Sequence, residues 1–161
     1  MKRVLSLLFA LVFVVAAFPV TVASAADVIE ISDAAQLAAI GTNDNYPLSG
    51  SYKLTKSISL SGYDNWTPIG NGSAFSGTFE GNGKTISGLK VNASGTYAGL
   101  FGQVSGTVKN LTVTGSVTLN NTSSSATSVY AGILAGNVSG WLATIDSCST
   151  SGDVTVTSNC T

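Results

Sequence analysis

Asp64, Glu80, Asp146 and Asp153 are the side chains whose type could do chemistry in this chain. Two carboxyl groups facing each other across a cleft can cleave a glycosidic bond, one as acid and the other as base or nucleophile. Asp64 falls in a loop and Glu80 at a turn. Asp146 and Asp153 lie beside regularly spaced apolar residues, on positions that should point outward. Their ordinary reading is solvated turns and faces. The sharper reading is a polysaccharide hydrolase or lyase, which requires the fold to bring two of them together, Glu80 and Asp146 above all. A lyase also wants a basic group beside its acids, for which Lys84 and Lys90 are candidates.

Other reaction classes are closed by composition. The chain has no histidine, so its many serines have no imidazole base to activate them. With two cysteines, Cys148 and Cys160, it cannot assemble an ordinary Cys/His zinc site. Gly81-Asn-Gly83-Lys84 lacks the spacing of a phosphate loop. Asp64-Asn65 is too short for a calcium loop. No catalytic residue, cofactor or metal is therefore expected. Three aromatics near loops, Tyr63, Trp66 and Trp141, are candidate contacts for a sugar or a protein. Trp66 and Ile69 can alternatively fill the interior where Pro68 withholds a backbone donor. Trp141 sits in a short insertion and is the best candidate for exposure.

The elements that must carry these groups begin after a leader. Lys2 and Arg3 precede an apolar run from Leu5 to Val20, and Ala23-Ser24-Ala25 follows. That order is the pattern of a secretory signal peptide ending near residue 25. The run is barely long enough to span a bilayer, which takes about 20 residues. Residues 1–25 are thus read as a signal peptide and 26–161 as one domain, expected to be incomplete at its C-terminal end and secreted or at the cell surface, with no membrane insertion after cleavage. Beyond the leader the basic residues are Lys53, Lys56, Lys84, Lys90 and Lys109, against all eight acidic ones. Such a balance suits neither nucleic acid nor a polybasic lipid contact.

Two short runs recur. Tyr97-Ala-Gly-Leu-Phe-Gly102 returns as Tyr130-Ala-Gly-Ile-Leu-Ala-Gly136, which makes Tyr97 equivalent to Tyr130 and Phe101 to Leu134. Thr85-Ile86-Ser-Gly-Leu89-Lys90-Val91 resembles Thr107-Val108-Lys109-Asn-Leu111-Thr-Val113 at a spacing of twenty-two. This predicts Ile86 over Val108, Leu89 over Leu111 and Val91 over Val113. Ile145, Cys148 and Thr150 form a further rung after thirty-seven residues. Gly115-Ser-Val117-Thr-Leu119 and Gly152-Asp-Val154-Thr-Val156 continue it. Residues 120–127 are a polar insertion, which a stacked architecture places in a loop. Alternation and β-branched residues argue for strands. The spacing is too short for a strand–helix–strand unit of about 30 residues. An all-β parallel β-helix, or β-solenoid, accounts for the ladder; a β-sandwich accounts only for the composition. Val28 to Ile31 reads as a strand. Ser32 is the expected cap of a short N-terminal helix carrying Leu37 and Ile40, which should cover one end of the stack. Lys90 and Lys109 should face outward. Cys148 either packs inward in the place of Leu111 or bridges to Cys160, since export permits disulfides.

Trp66-Thr-Pro-Ile-Gly70, the run from Phe75 to Leu89 and Tyr97-Ala-Gly-Leu-Phe-Gly102 together resemble the GLUG-motif repeats. These occur in bacterial surface adhesins and beside some immunoglobulin A1-cleaving metalloproteases. The resemblance spans Val28 to about Val156. It implies a right-handed parallel β-helix outside the cell, with no active site in the repeats. The function it implies is adhesion, contact with an extracellular protein or glycan, or spacing of other domains. The coil edge near Val154 to Val156 is expected to be uncovered and open to edge-to-edge self-association.

Overall fold

The computed structural model describes residues 27–122 and 128–158. The segment read as a signal peptide, most of the 120–127 insertion and Cys160 lie outside them. The described chain is parallel β-sheet with one short helix. Its elements run β1 (Val28–Ile31), α1 (Ala34–Ala39), β2 (Ser51–Leu54), β3 (Ile58–Ser59) and β4 (Thr78–Ala93). They continue with β5 (Tyr97–Ala98), β6 (Phe101–Val104), β7 (Thr107–Asn121), β8 (Tyr130–Ala131), β9 (Ala135–Val138), β10 (Thr144–Asp146) and β11 (Ser149–Ser158). The largest sheet has the order β1-β2-β4-β7-β10, with β3 joined to β4 and β11 joined to β7. Two smaller sheets pair β5 with β8 and β6 with β9, and every one of these pairings is parallel.

Parallel pairing in register puts like residues one strand spacing apart, about 4.8 Å. Tyr52 therefore stacks on Phe79, Phe79 on Val108 and Val108 on Ile145. Ile58 stacks on Ile86 and Ile86 on Val113. Burial of these ladders, at roughly 25 cal/mol per Å² of apolar surface, drives the assembly. Four aromatics fill its centre. Phe101 meets Phe75 at 5.3 Å and Phe79 at 5.5 Å between ring centroids, and Tyr52 tilts against Phe75 at 6.1 Å. The Tyr52 hydroxyl donates to the Pro47 carbonyl at 2.6 Å. Burial, with a smaller contribution from neighbouring Tyr46, pushes its pKa up to about 12.

The structure corrects the register of the first ladder. Thr78, not Thr85, lies beside Thr107, and Val108 stacks on Phe79 rather than on Ile86. Ile86 pairs with Val113, Leu89 with Gly115 and Val91 with Val117. Two irregularities, between Glu80 and Lys84 and between Ile86 and Leu89, produce the offset. The strand spends extra residues at these corners, where Asn82, Gly83 and Gly88 take positive φ. All the inward residues predicted on β4 and β7 are nonetheless buried: Ile86, Leu89, Val108 and Leu111. The spacing of thirty-seven holds, with Val108 on Ile145, Val113 on Thr150 and Val117 on Val154. Tyr97 stacks on Tyr130 with ring centroids 5.5 Å apart, but Phe101 pairs with Ala135 and not with Leu134.

The helix cap also differs. Asp33 rather than Ser32 is the N-cap, accepting the Gln36 backbone N–H at 2.8 Å. The Gln36 side chain reaches back to accept the Ser32 N–H at 2.7 Å, a variant of the reciprocal capping box. Carboxylate outcompetes hydroxyl here because it also favours the positive end of the helix. Leu37 and Ile40 enter the core.

Candidate functional site

Three places gather the side chains singled out by sequence. The first is a row of charges on the outer face of the large sheet. Glu30 lies beside Lys53, Lys53 beside Glu80, Glu80 beside Lys109 and Lys109 beside Asp146. Acid and base alternate along the whole stack. Opposite charges on neighbouring strands stabilise a sheet, and like charges directly opposite destabilise it. Lys109 Nζ stands 3.4 Å from Glu80 Oε2. Glu80 also accepts the Asn82 backbone N–H at 2.6 Å and the Asn110 side-chain amide at 3.1 and 3.2 Å. Burial raises the Glu80 pKa, but these donors and the Lys109 ammonium outweigh it and hold it below the ordinary value. A general acid needs the opposite shift.

The corner next to this row is built from Asn82, Asn110 and Ser147, each in the left-handed region with φ of 53°, 53° and 51°. Lys53, Glu80, Asn82, Asn110 and Ser147 line a shallow depression there. The sequence pattern placed Glu80 and Asp146 far apart; the structure sets them on either side of Lys109. Asp64 and Asp153 are exposed and outside this depression.

The second place is a groove of about 490 Å³ between α1 and the loop before β4. Ile40, Leu48, Trp66 and Ile69 give it an apolar lining, and Thr67 and Asn71 are among its polar residues. No Asp, Glu, Lys or Arg lines it. Tyr63 is half-buried in its wall, edge-on to Trp66 at 5.3 Å, with its hydroxyl 3.4 Å from the Ala34 carbonyl. Trp66 is only 2% exposed and donates its indole N–H to the Leu100 carbonyl at 3.1 Å. That placement fits the interior-anchor reading of Trp66, because an indole with a satisfied N–H gains more from burial than from solvent. The sequence could have found the groove only through Pro68 and Ile69, whose neighbours in space come from α1.

The third place is the last pass of the chain. Trp141 is 104% exposed. Ile145 stacks on Val108 and Cys148 packs against the core, the inward register expected of both, but Ile145 is 39% exposed and Cys148 only half-buried. Their ladder partners are covered on both sides, whereas among the described residues β10 and β11 pair only with β7. Burial pushes the Cys148 thiol up, and its Sγ lies 3.6 Å from the Val108 carbonyl.

Among the described residues no group of three His, Cys, Asp or Glu side chains could hold a metal ion. No described helix is long and apolar enough to cross a membrane. Compared with known protein families, curated proteins and solved structures, the chain matches none of them.

Proposed function

We propose that the chain is a secreted or cell-surface module of the GLUG-like kind, a right-handed parallel β-solenoid that displays a surface for contact with a glycan or protein, or spaces other domains. One observation carries the binding reading: cavity and charge are separated. The groove against α1 is lined by neutral side chains, while Glu80 is bound into ion and hydrogen bonds on the sheet's outer face. An apolar lining with hydroxyl and amide groups suits a neutral ligand that offers both a ring face and hydroxyls, as a sugar does. Tyr63 is the aromatic that can meet it.

The test is titration of the mature protein against a panel of neutral glycans, with Tyr63→Ala as comparison. Saturable binding weakened by the substitution is the expected outcome. Absence of binding across the panel removes the glycan reading and leaves protein contact or spacing.

A second reading has a specific feature in its favour. Glu80 and Asp146 flank Lys109, so two carboxyls and a base lie along one row, the set a polysaccharide hydrolase or lyase would use. Against it stand the ionised state of Glu80 and the lysine occupying the space between the acids. Mass spectrometry of products from a glycan panel decides. Turnover that is lost in the Glu80→Gln/Asp146→Asn double variant would make the protein an enzyme.

A further inference from the structure

Asn-Gly occurs twice in the chain, at Asn71-Gly72 and at Asn82-Gly83. An asparagine can lose its amide at such a pair, because glycine has no β-carbon to shield its backbone nitrogen or restrict its rotation. That nitrogen can then reach the side-chain carbonyl carbon of the asparagine. The fold treats the two pairs differently.

Asn82 is held. Its side-chain amide donates to the Leu54 carbonyl at 3.1 Å, and its backbone N–H donates to Glu80 Oε1 at 2.6 Å. Asn82 and Gly83 both take positive φ, 53° and 68°, inside β4. Reaction there has to release the amide from Leu54 and rebuild a corner of the stack. Asn71 is loose. The segment from Asn71 to Ala74 bridges two points fixed on β6. The Gly70 carbonyl accepts the Gln103 N–H at 3.2 Å, and the Phe75 N–H donates to the Gln103 carbonyl at 2.9 Å. Between them, no backbone N–H is bonded to another described residue. Asn71, Gly72 and Ser73 are exposed. Among the described residues the Asn71 side chain has no hydrogen-bond partner; only its backbone carbonyl is touched, by the Gln103 side-chain amide at 3.5 Å. A Cβ on Gly72 would meet nothing within 4 Å, so the attacking nitrogen is in open space. Asn71 also lines the groove against α1, which holds no Asp, Glu, Lys or Arg.

We propose that Asn71-Gly72 is a site of spontaneous deamidation that places a carboxylate on the rim of this neutral groove, and that the fold protects Asn82-Gly83 from the same reaction. The Gly72 nitrogen gives up its proton to solvent base and attacks Asn71 Cγ. A C–N bond forms, the side-chain nitrogen takes up a proton and leaves as ammonia, and a cyclic imide remains. Water then adds to one of the two imide carbonyls and supplies the new oxygen. Opening at Cγ gives aspartate on an unchanged backbone. Opening at the main-chain carbonyl gives isoaspartate, whose side-chain carbon now carries the backbone. The loop absorbs that extra carbon because its middle makes no ladder bonds. Either product adds one negative charge, and the change depends only on the chain's own atoms, whatever the groove binds.

The test is to age the purified full chain in mildly alkaline buffer made with heavy-oxygen water, digest it at acid pH, and follow the peptides carrying Asn71 and Asn82 by mass spectrometry. A parallel sample is aged unfolded in urea. Gly72→Ala is the comparison variant, since its new Cβ meets no neighbour; matching thermal transitions check its fold. The expected result is amide-to-acid conversion at Asn71 with uptake of heavy oxygen, an isoaspartate fraction, and later elution from an anion exchanger. Asn82 stays an amide in the folded protein, and both pairs convert alike in urea. Conversion at Asn71 is lost in Gly72→Ala over the same interval. An Asn71 that keeps its amide in the folded protein overturns the proposal, as does an unchanged rate in Gly72→Ala. Equal conversion of both pairs in the folded protein, or the same preference for Asn71 in urea, overturns the protective role of the fold.

Discussion

Replacing Leu111 by alanine tests whether the middle of the stack is more tightly enclosed than the described last pass. Leu111 is 1% exposed, and it sits so close to the neighbouring corner that a Cβ on Gly81 would lie 2.6 Å from its own Cβ. Backbone packed that tightly leaves little room for collapse into a vacancy. The loss is then transfer free energy plus a cavity, about 2–5 kcal/mol. Val156 stacks on Leu119 in the same sheet but faces solvent on its other side. Removing its two methyl groups forfeits about half of a buried contribution, below about 1 kcal/mol. Urea denaturation followed by circular dichroism measures both. With a slope of about 2 kcal/mol/M, Leu111→Ala should lower the midpoint by about 1–2.5 M, and Val156→Ala by less than about 0.5 M. Slopes should match the wild type, because neither change alters how much surface unfolding exposes. Equal costs for the two substitutions would refute the reasoning, since they would mean that Val156 is as enclosed as Leu111.

Two further outcomes follow from the corners and the charge row. The folded Glu80 pKa lies below the ordinary glutamate value, so its contribution is complete above that value and is lost as pH falls through the folded pKa; Glu80→Gln should flatten the acid limb of stability against pH, measured by urea midpoints, and an unchanged limb would show the contacts to be energetically idle. A Cβ on Gly106 would lie 2.1 Å from the Gly77 carbonyl oxygen, so Gly106→Ala must push apart the two corners that lead into β4 and β7; a melting point drop larger than that of Gly72→Ala, a position open to solvent, is expected from paired thermal scans.

Much of this architecture is readable along the chain because its cause is local. Alternation of Val108, Leu111 and Val113 against polar neighbours dictates an inward face whichever strand lies next door. The repeated Tyr97 and Tyr130 mark equivalent sites because the residues around them repeat as well. Asp33, by contrast, displaced Ser32 as the helix cap through a choice between two adjacent oxygens, which near-neighbour patterning leaves open.

The register of β4 on β7 was not readable. Thr85 to Val91 resembles Thr107 to Val113 as closely as any two segments here, yet they pair out of that alignment, Thr85 beside Thr112 and Ile86 beside Val113. Parallel partners are selected by where the corners fall. Those depend on the left-handed turns at Asn82, Gly83 and Gly88 and on which backbone each corner can approach. Trp66 shows a milder limit: its loop position left an interior anchor and a partner contact both open, and the Leu100 carbonyl that takes its indole N–H decides for the anchor.

The amino-acid sequence by itself determined the strands, their inward faces and the absence of histidine chemistry, because these depend on residue type and near neighbours. Tertiary structure alone decided the charge row. Glu30, Lys53, Glu80, Lys109 and Asp146 recur at four different intervals, since loops of unequal length separate the strands that carry them. Alternation of sign becomes visible only when parallel hydrogen bonding sets those strands side by side.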